Sequence, residues 1–397
     1  MSGRGVVGPA PRAPRRMRSG ALADVMVAIW ILAALIAIEW TRLFIQELWH
    51  TPHSYDFGSF YRSGLAWNAG YSAYQDPRQL NLNPPWLLPT LFGPLARLSM
   101  HHAVRLWTAL NLVLVVWQLR IVQRTLHLSV PETLRIGIGM ALTYAWIVHW
   151  QQGQITWILG VLVTQAWAWA RTAQPIRSGI LIGIALAIKP TLVLAVIAIG
   201  WVSMLTAGAT SAAIVVGSTL WIGVTPWRDW IVAVRSVSWY ADAPNVSLLA
   251  ELARIQGTHI RDIITVSHVA VIGLMIVGMA MVGRSLCVRE TDRRWTAGLV
   301  QAVLLSPRGW TFYLLDALGP FLAVTCRGSL ARLLPWGLLV AQNFAAPMVG
   351  LGQWAHALWG LLGCAAACWM WSMAAWPRPK RSSPCGTDPS VNVRARL

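Results

Sequence analysis

The fold is decided by a run of twenty residues near the N-terminus, ALADVMVAIWILAALIAIEW (residues 21–40). At about 1.5 Å of helix per residue, such a run spans the ~30 Å hydrocarbon core of a bilayer. Five arginines precede it among Gly and Pro, from Arg4 to Arg18, and no small-residue cleavage pattern follows it. We therefore expect a disordered basic arm over residues 1–20, held in the cytoplasm, and a retained first transmembrane helix.

The composition of the whole chain excludes a soluble globular protein. Of the 397 residues, 56% are hydrophobic and 12% are charged, whereas soluble domains carry about 25% charged residues. Lys stands only at Lys189 and Lys380, so 30 of the 32 basic residues are Arg, and the formal net charge is +18. A basic excess that flanks apolar segments orients membrane helices, whereas nucleic-acid binding requires such charges on one solvated face. We expect a membrane protein that binds no nucleic acid.

The positions of the arginines predict the topology, because short cytoplasmic loops are rich in Arg. The predicted fold is an all-α polytopic membrane protein with twelve spans over residues 21–376 and a cytoplasmic tail at 377–397. We expect it in the cell membrane, with both termini in the cytoplasm. The sides assigned to the loops before and after it require Gly179 to Leu205 to cross the membrane twice, as a hairpin that reverses at Lys189–Pro190. The spans lie near residues 21–40, 103–121, 133–149, 154–170, 179–205 (two legs), 210–226, 263–283, 295–306, 311–326, 333–349 and 354–376.

Two long segments become periplasmic in this topology. The first covers about residues 44–102 and contains an apolar stretch, Pro84 to Leu98, which we expect to form a helix in the outer interface because it is too short to cross a bilayer. The second covers residues 227–262.

Six polar stretches fall on this outer side. Polar breaks at membrane depth are tolerated where they line a protein-enclosed or watery cavity, so their clustering predicts one outward-facing site. The stretches are Tyr55-Asp56-Phe57, Asn83-Pro84-Pro85, Gln152-Gly153-Gln154, Lys189-Pro190, Asn245-Val246-Ser247-Leu248 and Ser306-Pro307-Arg308-Gly309-Trp310.

The first-loop pattern resembles the signature of glycosyltransferase family 87. The residues that carry the resemblance there are Asp56, Phe60-Tyr61, Gly70, Tyr74, Asn83-Pro84-Pro85 and Pro94-Leu95-Ala96. Further similarities are Gly153-Gln154 opening a helix, the Gly-punctuated run from Gly179 to Lys189, Asn245-Val246-Ser247-Leu248, and Leu305-Ser306-Pro307 followed by Trp310. Together these cover roughly residues 50–320.

The resemblance implies a function. Known members include α-mannosyltransferases of actinobacterial envelopes that use polyprenyl-phosphate mannose, and they are similar to the wider GT-C class. It implies a membrane glycosyltransferase that takes a hexose from a lipid-linked donor and passes it to a lipid or glycan acceptor, without a cofactor. In that class a first-loop carboxylate deprotonates the acceptor, and Asp56 holds this position. The sequence departs from the family where a His often follows the Trp of Ser-Pro-x-x-Trp, since Thr311, Phe312 and Tyr313 stand there.

Each candidate site residue has a functional and a structural interpretation. Asp56 is the candidate base or a helix cap, and Asp76 is a rival carboxylate within a turn motif, Asp76-Pro77. Lys189 and Arg308 are candidate phosphate ligands, because a cation near the membrane is costly unless it meets an anion. Alternatively, they are interfacial anchors.

The remaining candidates are polar or aromatic. Gln154 and Asn245 are candidate sugar ligands, and Gln154 can equally cap a helix. Trp310 is placed for sugar stacking or for the interfacial aromatic belt. The task of the missing His is either vacant or passes to Arg308 or Tyr313.

The sequence leaves a metal site and two other functions as alternatives. His50, His53 and Asp56 recur at three-residue spacing, which a helix would gather as metal ligands, but Pro52 interrupts the pattern and we predict no metal. A transporter would show two related halves with matching broken helices, and no such repeat is visible in the sequence. A non-catalytic lipid-handling or scaffold protein is the other alternative.

Overall fold

The computed structural model describes residues 18–75, 81–236, 244–255, 268–325, 333–345 and 353–376. Residues 1–17 of the expected basic arm, the tail over residues 377–397 and the rival carboxylate Asp76 lie outside the described residues.

Every regular element in this described part is helical, which confirms the all-α prediction. The helices are α1 (Arg18–His50), α2 (Asp56–Asn68), α3 (Gly93–Leu95), α4 (Met100–Thr125), α5 (Val130–Ala141), α6 (Tyr144–Gln152), α7 (Thr156–Arg171), α8 (Pro175–Ile188), α9 (Val193–Val196), α10 (Trp201–Ile222), α11 (Thr225–Ser236), α12 (Leu248–Ile255), α13 (His268–Leu286), α14 (Thr291–Leu305), α15 (Leu318–Val324), α16 (Leu333–Ala345) and α17 (Gln353–Ala375).

Four of the described helices are long and apolar enough to cross a membrane. They lie at Asp24–His50, Met100–Thr125, Trp201–Ile222 and Ala357–Ala375. The first of them leaves Leu35 and Ile38 59% and 65% exposed. Large aliphatic side chains at this exposure are stable on a helix that faces lipid, because lipid chains solvate them as well as a protein core does.

Two predicted spans begin or end elsewhere in the structure. Helix α1 continues to His50, well past the predicted end at Trp40, because the first residue that disfavours a helix is Pro52. The span predicted at 133–149 is divided between α5 and α6. The hydroxyl of Thr143 accepts from Trp146 N and donates to Met140 O at the break, so it competes with the helical backbone bonds.

The break predicted at Lys189–Pro190 is present and reverses the chain. A 3₁₀ turn and the short α9 follow it, and α10 then begins at Trp201, earlier than the predicted 210. A Cβ on Gly179 would lie 2.7 Å from the carbonyl oxygen of Ser203, and one on Gly183 would lie 2.6 Å from that of Ala207. A step of four residues along α8 is matched by a step of four residues along α10, so the two helices run parallel. The segment between them must therefore run in the opposite direction.

The first loop is folded onto the helical core. A Cβ on Gly64 would overlap the carbonyl group of Phe92, so glycine allows α2 to pack closely on the segment that ends in α3. The rings of Phe60 and Phe92 stack at 5.0 Å between centroids, and Trp107 of α4 packs edge-on against Phe60. The start of α2, and with it Asp56, is thereby held against α4 and α6.

Candidate functional site

Five of the six polar stretches that the sequence singled out contribute directly to one cavity of about 160 Å³. We call it the Asp56 cavity. Its walls are formed by Asp56, Phe60, Leu82, Asn83, Val148, Gln152, Gln154, Lys189, Pro244, Trp310, Phe312 and Tyr313. The sixth stretch begins at Asn245, directly after the wall residue Pro244. The predicted convergence of these distant stretches is therefore present in the structure.

Asp56 is held at one wall by the start of a helix and by an amide. It is the first residue of α2, where backbone N–H groups carry partial positive charge that favours a carboxylate. Its Oδ2 accepts a hydrogen bond from Nε2 of Gln154. Gly153 makes this possible, because its φ of 63° turns the chain out of α6. Trp107 fixes the turn by donating from Nε1 to the Gly153 carbonyl at 2.8 Å.

Lys189 lies in the break between α8 and the 3₁₀ turn, outside both helices, and faces the same cavity. Burial lowers the pKa of its ammonium group, the charge of Asp56 raises it and the charge of Arg308 lowers it, with a net pKa of about 8. The ammonium is therefore mostly protonated at neutral pH and has a weakened hold on its proton. Its Nζ lies 5.9 Å from the centre of the Tyr313 ring, a cation–π distance.

Arg308 lies beside the cavity but does not form its wall. Its Nη2 donates to the carbonyl of Val234 at the end of α11, at 3.1 Å. Its charge still reaches Lys189, whose pKa it lowers. The structure therefore brings the two cations predicted for a phosphate into one electrostatic neighbourhood, with Lys189 directly at the cavity.

Asn245 supports the cavity wall from behind. Its side chain is buried, its Nδ2 donates to Pro307 O at 2.7 Å, and its Oδ1 accepts from Ser247 N at 3.2 Å. It also forms an antiparallel bridge with Trp310. The structure does not bring the Asn245 amide to the cavity surface, and Pro244 lines the wall instead.

The aromatic wall depends on this pairing of two distant segments. Val246 N donates to Gly309 O at 2.8 Å, and Thr311 N donates to Pro244 O at 2.9 Å. A Cβ on Gly309 would overlap the Val303 carbonyl, so only glycine allows the chain to turn this tightly. The turn presents Trp310, Phe312 and Tyr313 to the cavity.

Several wall residues were not among the site residues predicted from the sequence. Asn83 belonged to a predicted stretch, yet it was given no role; it is buried, and its Oδ1 has no hydrogen-bond partner among the described residues. Its position in the Asn-Pro-Pro motif was the available signal. Phe60 belonged to the first-loop pattern and Gln152 to a predicted polar stretch, but neither was given a role. Leu82 and Val148 carry no local signal, because only packing brings them to the wall.

The candidate metal ligands do not form one cluster. His50 ends α1, His53 lies in a 3₁₀ turn and Asp56 starts α2, so the three do not share a helix face. Among the described residues no group of three or more His, Cys, Asp or Glu side chains could hold a metal ion.

The cavity combines a carboxylate, an amide that orients it, a cation and aromatic surfaces. A carboxylate can take a proton from a hydroxyl within hydrogen-bond reach, and a nearby ammonium can stabilise a departing anion. This set suits a group transfer in which a hydroxyl is the nucleophile and a phosphate leaves.

Comparison with known proteins connects this geometry to a family. No curated protein and no solved structure matches the chain. The family model for glycosyltransferase family 87 matches residues 81–307, which is more than half of the chain. This range includes the wall residues from Leu82 to Pro244, while Asp56 lies 25 positions before its start and Trp310 three positions after its end. With the apolar helices, the match makes the protein a membrane glycosyltransferase, and the chain belongs to glycosyltransferase family 87.

Proposed function

We propose that the protein transfers a hexose, with mannose as the first candidate, from a polyprenyl phosphate to a lipid-linked or glycan acceptor. The observation that carries the proposal is the presence of Asp56 and Lys189 in the walls of one cavity. Transfer from a lipid phosphate requires a base for the acceptor and a cation for the phosphate, and these two residues supply them.

The proposed reaction is a direct displacement. Asp56 takes the proton from the acceptor hydroxyl while its oxygen attacks the anomeric carbon of the sugar. The bond between that carbon and the phosphate oxygen breaks, and its electron pair leaves with the phosphate, next to Lys189. Gln154 holds the Asp56 carboxylate in place through its amide hydrogen bond. Attack from the side opposite the phosphate inverts the configuration at the anomeric carbon, and no cofactor is required.

An apolar groove supports a lipid-linked donor. The groove has a volume of about 680 Å³ and lies between α9, α12, α13 and α14, and we call it the Leu305 groove. Leucine, methionine, valine and glycine residues line it throughout. It begins close to the cavity along three chain segments: Leu194 follows Lys189 by five residues, Leu248 follows Asn245 by three, and Leu305 precedes Ser306. A polyprenyl chain in this groove would leave its phosphate near Lys189.

The proposed topology places the cavity outside the cell membrane and both termini in the cytoplasm, with twelve spans. Arg284 in the last turn of α13 and Arg289 in the loop after it support the cytoplasmic side of that loop. Tyr71 is 74% exposed at the cavity side and Cys287 is exposed after α13. In a cysteine-free background, Tyr71→Cys is expected to react with an impermeant thiol reagent on intact cells. A variant that retains Cys287 alone is expected to react only after permeabilisation. Equal labelling of both on intact cells contradicts the topology.

The proposal is tested with Asp56→Asn. General-base catalysis is worth about 10²–10⁴-fold, so transfer of labelled mannose from polyprenyl phosphate to membrane lipids is expected to fall by that factor. The measurement uses the full chain in lipid nanodiscs supplied with a membrane lipid extract.

The matched control is Glu290→Gln, which also neutralises one carboxylate. Glu290 is half exposed and pairs with Arg293, away from the Asp56 cavity, so the variant is expected to keep wild-type transfer. Near-normal transfer by well-folded Asp56→Asn protein removes Asp56 as the base. Absence of transfer by the wild type with any labelled polyprenyl-phosphate hexose would contradict the function itself.

A further inference from the structure

A second pocket opens beside the Asp56 cavity. It has a volume of about 360 Å³ and lies between the turn after α2 and the start of α11, and we call it the Tyr71 pocket. Three aromatic residues, Trp67, Tyr71 and Tyr74, contribute to its lining. Ser72 and Asp229 supply polar groups, and the Ser72 hydroxyl donates to Asp229 Oδ2 at 2.7 Å.

The two sites share a wall. Tyr74 lines the Tyr71 pocket, and its hydroxyl donates to the carbonyl of Asn83, which lines the Asp56 cavity. On the other side, Trp230 follows the pocket residue Asp229 and donates from Nε1 to the carbonyl of Leu82, another cavity residue, at 3.1 Å. A single layer of residues therefore separates the two.

The distance between the sites suits an extended ligand. Trp67 follows Asp56 by eleven positions on α2, and a rise of about 1.5 Å per residue places their Cα atoms about 16 Å apart. One sugar unit cannot occupy both sites, whereas a short oligosaccharide can.

The chemistry of the pocket differs from that of a lipid site. Tyr71 is 74% exposed, so its ring offers a flat apolar face that the fold does not cover. The Asp229 side chain is 19% exposed, and its Oδ1 lies 3.9 Å from the exposed Arg228. A carboxylate and hydroxyls next to aromatic faces suit a ligand that has apolar C–H faces and many hydroxyl groups. The described lining of the Leu305 groove, in contrast, consists of leucine, methionine, valine and glycine.

We propose that the Tyr71 pocket binds a saccharide portion of the acceptor, several sugar units away from the hydroxyl that reacts at Asp56. Tyr71 stacks on a sugar ring, and Asp229 accepts hydrogen bonds from sugar hydroxyls. In taking the ligand to be the acceptor, the inference rests on the proposed function. It adds that the acceptor carries an oligosaccharide, and that its recognition lies outside the catalytic cavity.

The test is direct binding of mannotriose to the full chain in nanodiscs without donor, measured by saturation-transfer-difference NMR. The wild type is expected to bind. Tyr71→Ala is expected to weaken binding about three- to tenfold, because it removes one aromatic contact. Asp229→Asn is expected to weaken it by a similar factor, because the amide retains an oxygen for Ser72 but loses the charge that strengthens hydrogen bonds from hydroxyls.

Three variants control this experiment. Tyr71→Phe retains the ring and is expected to retain binding. Trp117→Ala removes an aromatic side chain that is 55% exposed on α4, outside the pocket, and is expected to change nothing. Asp56→Asn is expected to bind mannotriose normally, so the binding result does not depend on whether Asp56 is the base.

Transfer kinetics give a second readout. Tyr71→Ala is expected to raise KM for an oligosaccharide-bearing acceptor by the same factor, while KM for the donor and kcat stay unchanged. Binding that is absent in the wild type, or equal in the wild type, Tyr71→Ala and Asp229→Asn, overturns the proposal. If Tyr71→Ala loses binding while Asp56→Asn transfers normally, the saccharide site stands and the proposed catalytic base falls.

Discussion

The Asp56 cavity and the Leu305 groove use neighbouring pieces of the same chain for opposite purposes. At Lys189 the helix α8 has ended and the Lys189 side chain brings a positive charge to the cavity. Five residues later, Leu194 contributes an aliphatic side chain to the groove. The segment around residue 306 repeats this change, with Leu305 in the groove and Trp310 in the cavity. A ligand with a charged end and an apolar chain could be bound by both. The comparison therefore predicts that substitutions in the two regions weaken binding of the same donor for different reasons: loss of charge in the cavity and loss of apolar contact in the groove.

The largest effect on the use of the donor is expected from Lys189→Met, which removes charge from the cavity side. A charge-assisted hydrogen bond contributes about 1.5–3 kcal/mol, so the donor concentration for half-maximal transfer is expected to rise about 10- to 150-fold. Acceptor KM is expected to stay unchanged.

Arg308→Met sharpens this prediction. If both cations act on one phosphate, the double variant is expected to deviate from the product of the two single effects. Wild-type donor dependence in both single variants would place the phosphate elsewhere.

A smaller effect is expected from Gly278→Leu, which fills the groove. A Cβ at Gly278 would already lie 3.4 Å from Leu305 Cδ2, so the longer side chain takes space from a bound lipid chain. Displacing about two CH₂ groups at ~0.8 kcal/mol each corresponds to about a tenfold higher KM for a long-chain donor. A donor with a short prenyl chain is expected to be unaffected.

The matched control is Gly273→Leu on the same helix. Among the residues that the structure describes, nothing lies within 4 Å of a Cβ there, and Gly273 does not line the groove. An equal loss with short- and long-chain donors would show that the groove does not hold the chain.

The smallest effect concerns pH and again separates the two regions. A Lys189 pKa of about 8 means that the ammonium form is lost as the pH rises through that value, well below the ordinary 10.5. Donor binding that depends on this charge is expected to weaken about threefold between about pH 7.5 and 8.5. Lys189→Arg is expected to remove this pH dependence, and Gly278→Leu is expected to keep it. A profile that is flat to about pH 10 would exclude Lys189 as the titrating group.

Local sequence features predicted part of the candidate site. Pro190 lacks a backbone N–H and ends α8, so the break at Lys189 was visible in the sequence. Gly153 before Gln154 marked the turn that carries the amide to the cavity. Such features act within a few residues and do not depend on what packs around them.

Other parts of the site depended on contacts between distant residues. The hydrogen bond from Arg308 to Val234 crosses 74 positions. The Asn245 amide, predicted as a sugar ligand, is directed to Pro307 instead.

The sequence by itself determined that the protein is a helical membrane protein, because apolar length and arginine placement act through the bilayer. It also determined the breaks at Gly153 and Lys189–Pro190, since Pro and Gly impose their backbone limits locally. Only the tertiary structure decided which breaks meet, for example Pro244 with Thr311 and Asp56 with Gln154. Pairing between distant segments depends on the packing of the whole fold, and no local pattern encodes which partner a segment will find.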